Sequence, residues 1–295
     1  MLVKNPAKRL ALGTAQFGLN YGVANQSGLV QETDVEEILG AAWNSGIRTL
    51  DTAVSYGKSE QVLGDCGVQN WEVITKVPPI PKDCSNIAAW VIEQVTCSLE
   101  RLGVDHLYGV LLHRPEQILG GNGPQILDAL EKIKSLGLTK KIGISIYDPS
   151  ELSRLTALFK FDLVQAPMNI LDQRLINSGW AKKLKDYDVE IHIRSVFLQG
   201  LLLIPQQERP LKFEKFHSTW SEWDRWLLAV NLTPLQACLA YVLSFKEIDK
   251  LVVGVDSKNQ LRDIVASTGL QLSSYPQWTK ELPEELINPT MWDQL

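Results

Sequence analysis

Short apolar runs rich in β-branched residues recur along the chain, and each is followed by a stretch with helical spacing of its apolar positions. Eight runs read as strands: 10–14, 48–52, 72–77, 107–113, 141–145, 161–165, 190–196 and 250–255. Several are nearly continuous in apolar character, as parallel strands buried on both faces require. The stretches between them carry helix punctuation. Thr33 followed by Glu36 predicts a capping box. Asp148-Pro-Ser-Glu151 and Thr233-Pro-Leu-Gln236 each combine an N-cap, proline at the first helical position and an acid or amide at the third. Ile87, Val91, Val95, Leu99 and Leu102 fall on one helical stripe, which Gly103 stops, and Gly137 stops the next helix.

Alternating strands and helices fit a closed barrel or a doubly wound sheet. No GxGxxG follows the first strand, and polar residues gather at strand C-terminal ends along the whole chain. Both features favour an α/β fold of the (β/α)8 TIM-barrel type. The expected arrangement is a single domain over residues 1–295. Two segments interrupt the alternation. Residues 197–232 form a long insertion after the seventh strand, with a helical stretch around 220–230. Residues 271–295 form a C-terminal tail carrying Trp278 and Trp292.

Composition narrows the function classes. A chain of 295 residues buries a large core without disulfides or metal. A net charge of -5 leaves no basic footprint for nucleic acid. Cys66, Cys84, Cys97 and Cys238 lie far apart, with no CxxC pair and no zinc spacing, so reduced thiols and no metal are expected. The opening residues 1–11 lack the apolar core of a signal peptide, and stretches such as 201–204 are too short to span a bilayer. The expectation is a cytoplasmic protein acting on a small molecule, with neither membrane nor nucleic acid as partner. Oligomeric state leaves no trace in the sequence.

The candidate chemistry lies at the ends of strands two, three and four. Asp51 ends the second, with Tyr56 five residues later; Lys76 lies at the end of the third and His113 ends the fourth. In a barrel these ends converge on one mouth. Reducing a carbonyl requires hydride at carbon and a proton at oxygen. A phenol with a pKa of about 10 is a poor proton exchanger at neutral pH. A neighbouring ammonium stabilises the phenolate, a carboxylate holds that ammonium in place, and an imidazole can orient the carbonyl. Each residue alone has an ordinary role, as helix cap, solvated cation or loop; three consecutive strand ends carrying the set do not.

The strings LALGTAQFG, GIRTLDTAVSYG, VITKV, LLHRP, IGIS, LVQAPMN and RSVFLQG follow in order from about residue 10 to about residue 265. In that order and spacing they resemble the aldo-keto reductase superfamily. The resemblance implies a barrel that reduces an aldehyde or ketone, a sugar-type carbonyl included, with NADP(H), or alternatively NAD(H). It implies Tyr56 as proton donor, Lys76 and Asp51 as its tuning pair, and His113 as the substrate-orienting group. Gly13 and Thr14 would lie near the cofactor, and Ser145 and Gln165 would hold the nicotinamide carboxamide. The backbone from Ser195 through Phe197 to Gly200 would follow the pyrophosphate. Gly254, Asp256, Ser257, Lys258 and Gln260 would face the adenosine end.

Three positions depart from the common pattern. Ile146 stands where many members carry Asn. Arg194 stands where many carry an aromatic ring against the nicotinamide, and a planar guanidinium can stack there instead. Asp256 falls where a phosphate-contacting hydroxyl is common, which opposes a 2′-phosphate, while Ser257, Lys258 and Arg262 would compensate. Two rival readings use the same barrel: a regulatory or binding subunit with little turnover, and a lyase or aldolase with Lys76 as Schiff-base nucleophile.

Overall fold

The structure is a computed structural model that describes residues 6–25, 28–272, 275–276, 278 and 282–295. Parts of the opening segment and of the tail read from the sequence, residues 1–5, 273–274, 277 and 279–281, lie outside the described residues. Eight parallel strands close a barrel in sequence order: β1 (Leu10–Gly13), β2 (Thr49–Asp51), β3 (Glu72–Val77), β4 (Leu107–Leu112), β5 (Thr139–Ser145), β6 (Leu163–Pro167), β7 (Glu190–Arg194) and β8 (Lys250–Gly254). β8 pairs with β1, Leu10 beside Leu251 through Gly13 beside Gly254, and leaves no edge. All eight expected strands are present. β7 stops at Arg194 rather than at residue 196 because Ser195 turns left-handed at φ 62°.

Helices cover the barrel: α1 (Glu32–Asn44), α2 (Ser59–Cys66), α3 (Ile87–Leu102), α4 (Gly123–Ser135), α5 (Leu152–Leu158), α6 (Arg174–Asn177), α7 (Trp180–Asp186), α8 (His217–Val230), α9 (Pro234–Leu243), α10 (Lys258–Ala266) and α11 (Glu284–Ile287). The α3 stripe is buried along its length, and Gly103 closes the helix at φ 63°. The boxes at Asp148 and Thr233 form as reciprocal side-chain to backbone hydrogen bonds. The box at Thr33 does not. Val30 is buried and donates its N–H to the Gln16 carbonyl, so the helix begins at Glu32 with Gln31 as its cap. The insertion after β7 contains 3-10 turns and α8, and the tail docks through Trp278, whose Nε1 donates to the Ile170 carbonyl at 2.9 Å.

Side chains alternate across each strand, so Ile74 and Lys76 share one face of β3, as do Leu163 and Gln165 on β6 and Glu190, His192 and Arg194 on β7. Ile74, Leu111 and Leu163 form a small apolar cluster of their own, separate from the large core between strands and helices. That layer lies between a polar group at the C-terminal mouth and another at the N-terminal floor. Among the described residues no single helix is long and apolar enough to cross a membrane, and no three His, Cys, Asp or Glu side chains gather to hold a metal ion.

Candidate active site

The mouth group is built from strand ends. Lys76 is fully buried, and its Nζ donates to Asp51 Oδ1 at 2.6 Å, to the Thr52 carbonyl at 3.0 Å and to the Tyr56 hydroxyl at 3.3 Å. All three ammonium protons are therefore used. The other oxygen of Asp51, Oδ2, accepts from Gln165 Nε2 at 2.6 Å, and Ser145 Oγ lies 3.4 Å from Gln165 Oε1. Thr14 Oγ1 donates to the Asp51 carbonyl at 3.0 Å and is fixed in turn by Ser59 Oγ at 2.8 Å. The carboxylate is braced from both sides, and the ammonium it orients faces the phenol.

Burial works against the Lys76 ammonium, but the charge of Asp51 and the contact with Tyr56 outweigh it, so its pKa is held above the ordinary lysine value. His113 stands edge-on to Tyr56, ring centroids 6.1 Å apart, with Nδ1 3.1 Å from Ser55 Oγ. Burial, reinforced by the nearby cations Lys76 and Arg194, pushes the His113 pKa down to about 4. The ring is neutral near pH 7 and so keeps one N–H donor and one acceptor nitrogen.

A cleft of about 300 Å³ runs from Tyr56 and Asp51, past the β7 loop, to the start of α10. Gly13, Thr14, Arg194, Ser195, Phe197 and Gly200 line it, as do Gly254, Asp256 and Gln260. Ser145, Gln165, Ser257 and Lys258 do not line it. Ser145 and Gln165 stand behind Asp51, Ser257 caps α10 through its Oγ, and Lys258 Nζ reaches Glu37 Oε2 at 3.3 Å. Ile146 is fully buried and offers its carbonyl to Arg194 Nη2 at 2.9 Å.

The cleft's backbone is shaped for close approach. Ser195, Leu198 and Gln199 all adopt left-handed φ values between 49° and 62°, a conformation that carries about 1–2 kcal/mol per residue for an L side chain. At Gly254 a Cβ would fall 2.5 Å from the Gln16 side chain. At Gly200 a Cβ would fall 2.5 Å from Ala24 Cβ. The loop after β1 crosses to this segment, with Val23 N donating to the Gln199 carbonyl at 3.1 Å and Asn25 Nδ2 reaching Asp256 Oδ1 at 3.4 Å. These residues fit an extended ligand with one end at Tyr56 and the other beside α10.

Three contributors escaped the sequence reading. Tyr147 lies under Arg194, whose guanidinium carbon is 4.5 Å from the ring centroid, so the guanidinium stacks on protein. Ser55 fixes His113. Asp263 lines the far end of the cleft. Only Asp263 had a usable signal, since it sits three residues after Gln260 on one helix face.

The sequence matches the model of the Aldo/keto reductase family over residues 9–278. The chain is 24% identical to the NADH-specific methylglyoxal reductase of Escherichia coli strain K12, covering 90% of this chain and 91% of that one. It is 26% identical to the D-threo-aldose 1-dehydrogenase of a Pseudomonas species, covering 95% and 97%. Its fold superimposes on an aldo-keto reductase from Bacillus halodurans in the holo form with a TM-score of 0.68, 22% identity, and coverage of 92% and 89%.

Proposed function

We propose a catalytic reading from one premise: the chain belongs to the aldo/keto reductase family. It is an oxidoreductase that reduces an aldehyde or ketone to an alcohol, working as one domain over the whole chain. A bound nicotinamide dinucleotide supplies hydride to the carbonyl carbon. The cleft residues that would hold it are Gly13, Thr14, Arg194, the turn from Ser195 to Gly200, and Gly254, Asp256 and Gln260.

The observation that carries this reading is the buried ammonium of Lys76 set between the Asp51 carboxylate and the Tyr56 phenol. Tyr56 donates its proton to the carbonyl oxygen, and the ammonium stabilises the phenolate left behind. Asp51 keeps Lys76 charged and aimed, and Gln165 keeps Asp51 aimed. Neutral His113, fixed by Ser55, orients the carbonyl oxygen by hydrogen bonding. The names of two relatives, a methylglyoxal reductase and an aldose dehydrogenase, point to small aldehydes and sugar carbonyls as the substrate class. The free thiols, Cys238 among them, suit a cytoplasmic setting.

The test is Tyr56→Phe assayed on a panel of small aldehydes and aldoses, alongside cofactor binding. The reading requires turnover to collapse while the dinucleotide dissociation constant stays within about twofold, because the hydroxyl acts in the transition state. Full turnover by this variant would move the proton donor elsewhere.

A further inference from the structure

We propose that the cleft is built for NADH and discriminates against the 2′-phosphate of NADPH. The inference rests on the dinucleotide reading above. Hydride and proton must reach one carbonyl, so the nicotinamide end belongs beside Tyr56. The adenosine end then lies at the opposite end of the cleft, between the end of β8 and α10.

That far end is lined by Asp256, Gln260 and Asp263 and by no cation among the described residues. The one lysine or arginine lining the cleft among them is Arg194, at the Tyr56 end. Gln260, Asp263 and Ile264 are spaced at three and four residues, so they form the face of α10 that looks into the cleft. Lys258 and Arg262 each sit two residues from Gln260, roughly 200° around the helix, and so point away from that face. Lys258 is committed to Glu37 on α1, and Arg262 is exposed.

Two of the backbone donors at this helix start are engaged within the protein. Asp256 N donates to Gln260 Oε1 at 2.8 Å, and Gln260 N donates to Ser257 Oγ at 3.3 Å. A ribose diol suits the site where a phosphate does not. Its hydroxyls donate to a carboxylate, whereas a phosphate dianion beside two carboxylates meets repulsion with no counter-charge. Burial already disfavours the charged form of Asp256, so a second negative group there is opposed further.

The test is a titration of the full-length protein with NADH and with NADPH, followed by nicotinamide fluorescence at fixed ionic strength. The expected result is NADH binding at least about tenfold more tightly, a difference of about 1.4 kcal/mol. Asp256→Asn, which preserves size and the Gln260 contact, narrows the ratio toward one, and Asp256→Ser does so as well. Lys258→Ala leaves the ratio within about twofold. NADPH binding as tightly as NADH to the unaltered protein overturns the inference, as does an unchanged ratio in both Asp256 variants. Binding of neither dinucleotide overturns the catalytic reading itself, and that outcome is distinct from a wrong preference.

Discussion

The two ends of the barrel carry the same four kinds of side chain in opposite arrangements. At the mouth are Lys76, Asp51, Tyr56 and His113. At the floor are Lys141, Glu190, Tyr108 and His192. At the mouth the lysine stands between carboxylate and phenol, so the phenolic oxygen faces a positive charge. At the floor the carboxylate takes the centre. Glu190 accepts from Lys141, from the Tyr108 hydroxyl at 2.8 Å and is in contact with His192 Nε2 at 2.7 Å. Burial, together with the Glu190 carboxylate accepting its proton, pushes the Tyr108 phenol up to about 12. The difference teaches that the same four kinds of side chain can surround a phenol in two different ways. The Tyr56 hydroxyl meets an ammonium, whereas the Tyr108 hydroxyl donates to a carboxylate that holds its proton.

The sharpest way to break the comparison is a pair of matched variants. Tyr56→Phe should lower kcat on a good substrate by about 10²–10⁴, the usual span for a lost general acid. Tyr108→Phe should leave kcat unchanged. Equal losses in steady-state assays would mean that the floor takes part in the chemistry.

Next in size is Glu190→Gln, which leaves Lys141 without its carboxylate. A loss of about 1–3 kcal/mol is expected in urea unfolding, with kcat intact. A variant as stable as the original protein would show the floor cluster to be a solvated surface group.

Acid sharpens the contrast further. Burial opposes ionisation of Glu190, but its hydrogen bond to His192 and its contacts with Lys141 and Tyr108 outweigh that and bring it down to about 2. A depressed carboxylate stabilises the fold above its unfolded value of 4.5, and that contribution fades as pH falls toward about 2. His113 is also depressed, from 6.5 to about 4, so the stability tied to its neutral form is complete above pH 6.5 and fades as pH falls toward 4. Urea midpoints measured from pH 7 to pH 3 should therefore decline in two stages. His113→Gln should flatten the upper stage and Glu190→Gln the lower. A single stage untouched by either variant would refute the assignment.

The smallest effect belongs to Tyr108→Phe on stability. Removing one hydrogen bond to a carboxylate that keeps its other partners should lower unfolding free energy by about 1 kcal/mol. A loss above about 3 kcal/mol in the same urea assay would mean that the hydroxyl holds the floor together.

The mouth was legible in the sequence because each member closes a strand or follows one closely, so the barrel rule alone brings them together. The floor was not. Tyr108 and Lys141 sit near strand beginnings, where a polar residue reads as an ordinary solvated start, and their meeting with Glu190 spans 82 and 49 positions. The direction of Lys258 was equally hidden, since its partner Glu37 lies 221 residues away. Gln165 reads as a strand-end amide in the sequence, and only the closed barrel reveals its hydrogen bond to Asp51, 114 residues away. The strand runs were visible, but the early end of β7 was not, because the left-handed turn at Ser195 has no proline or glycine to announce it.

The crossing of the β1 loop over the β7 turn has a consequence for redesign. A Cβ at residue 200 would fall 2.5 Å from the Ala24 Cβ, so position 200 cannot be enlarged alone. Enlarging residue 200 requires shrinking residue 24, and even then the positive φ at 200 penalises anything with a Cβ. A library aimed at this mouth should therefore vary residue 200 only together with residue 24.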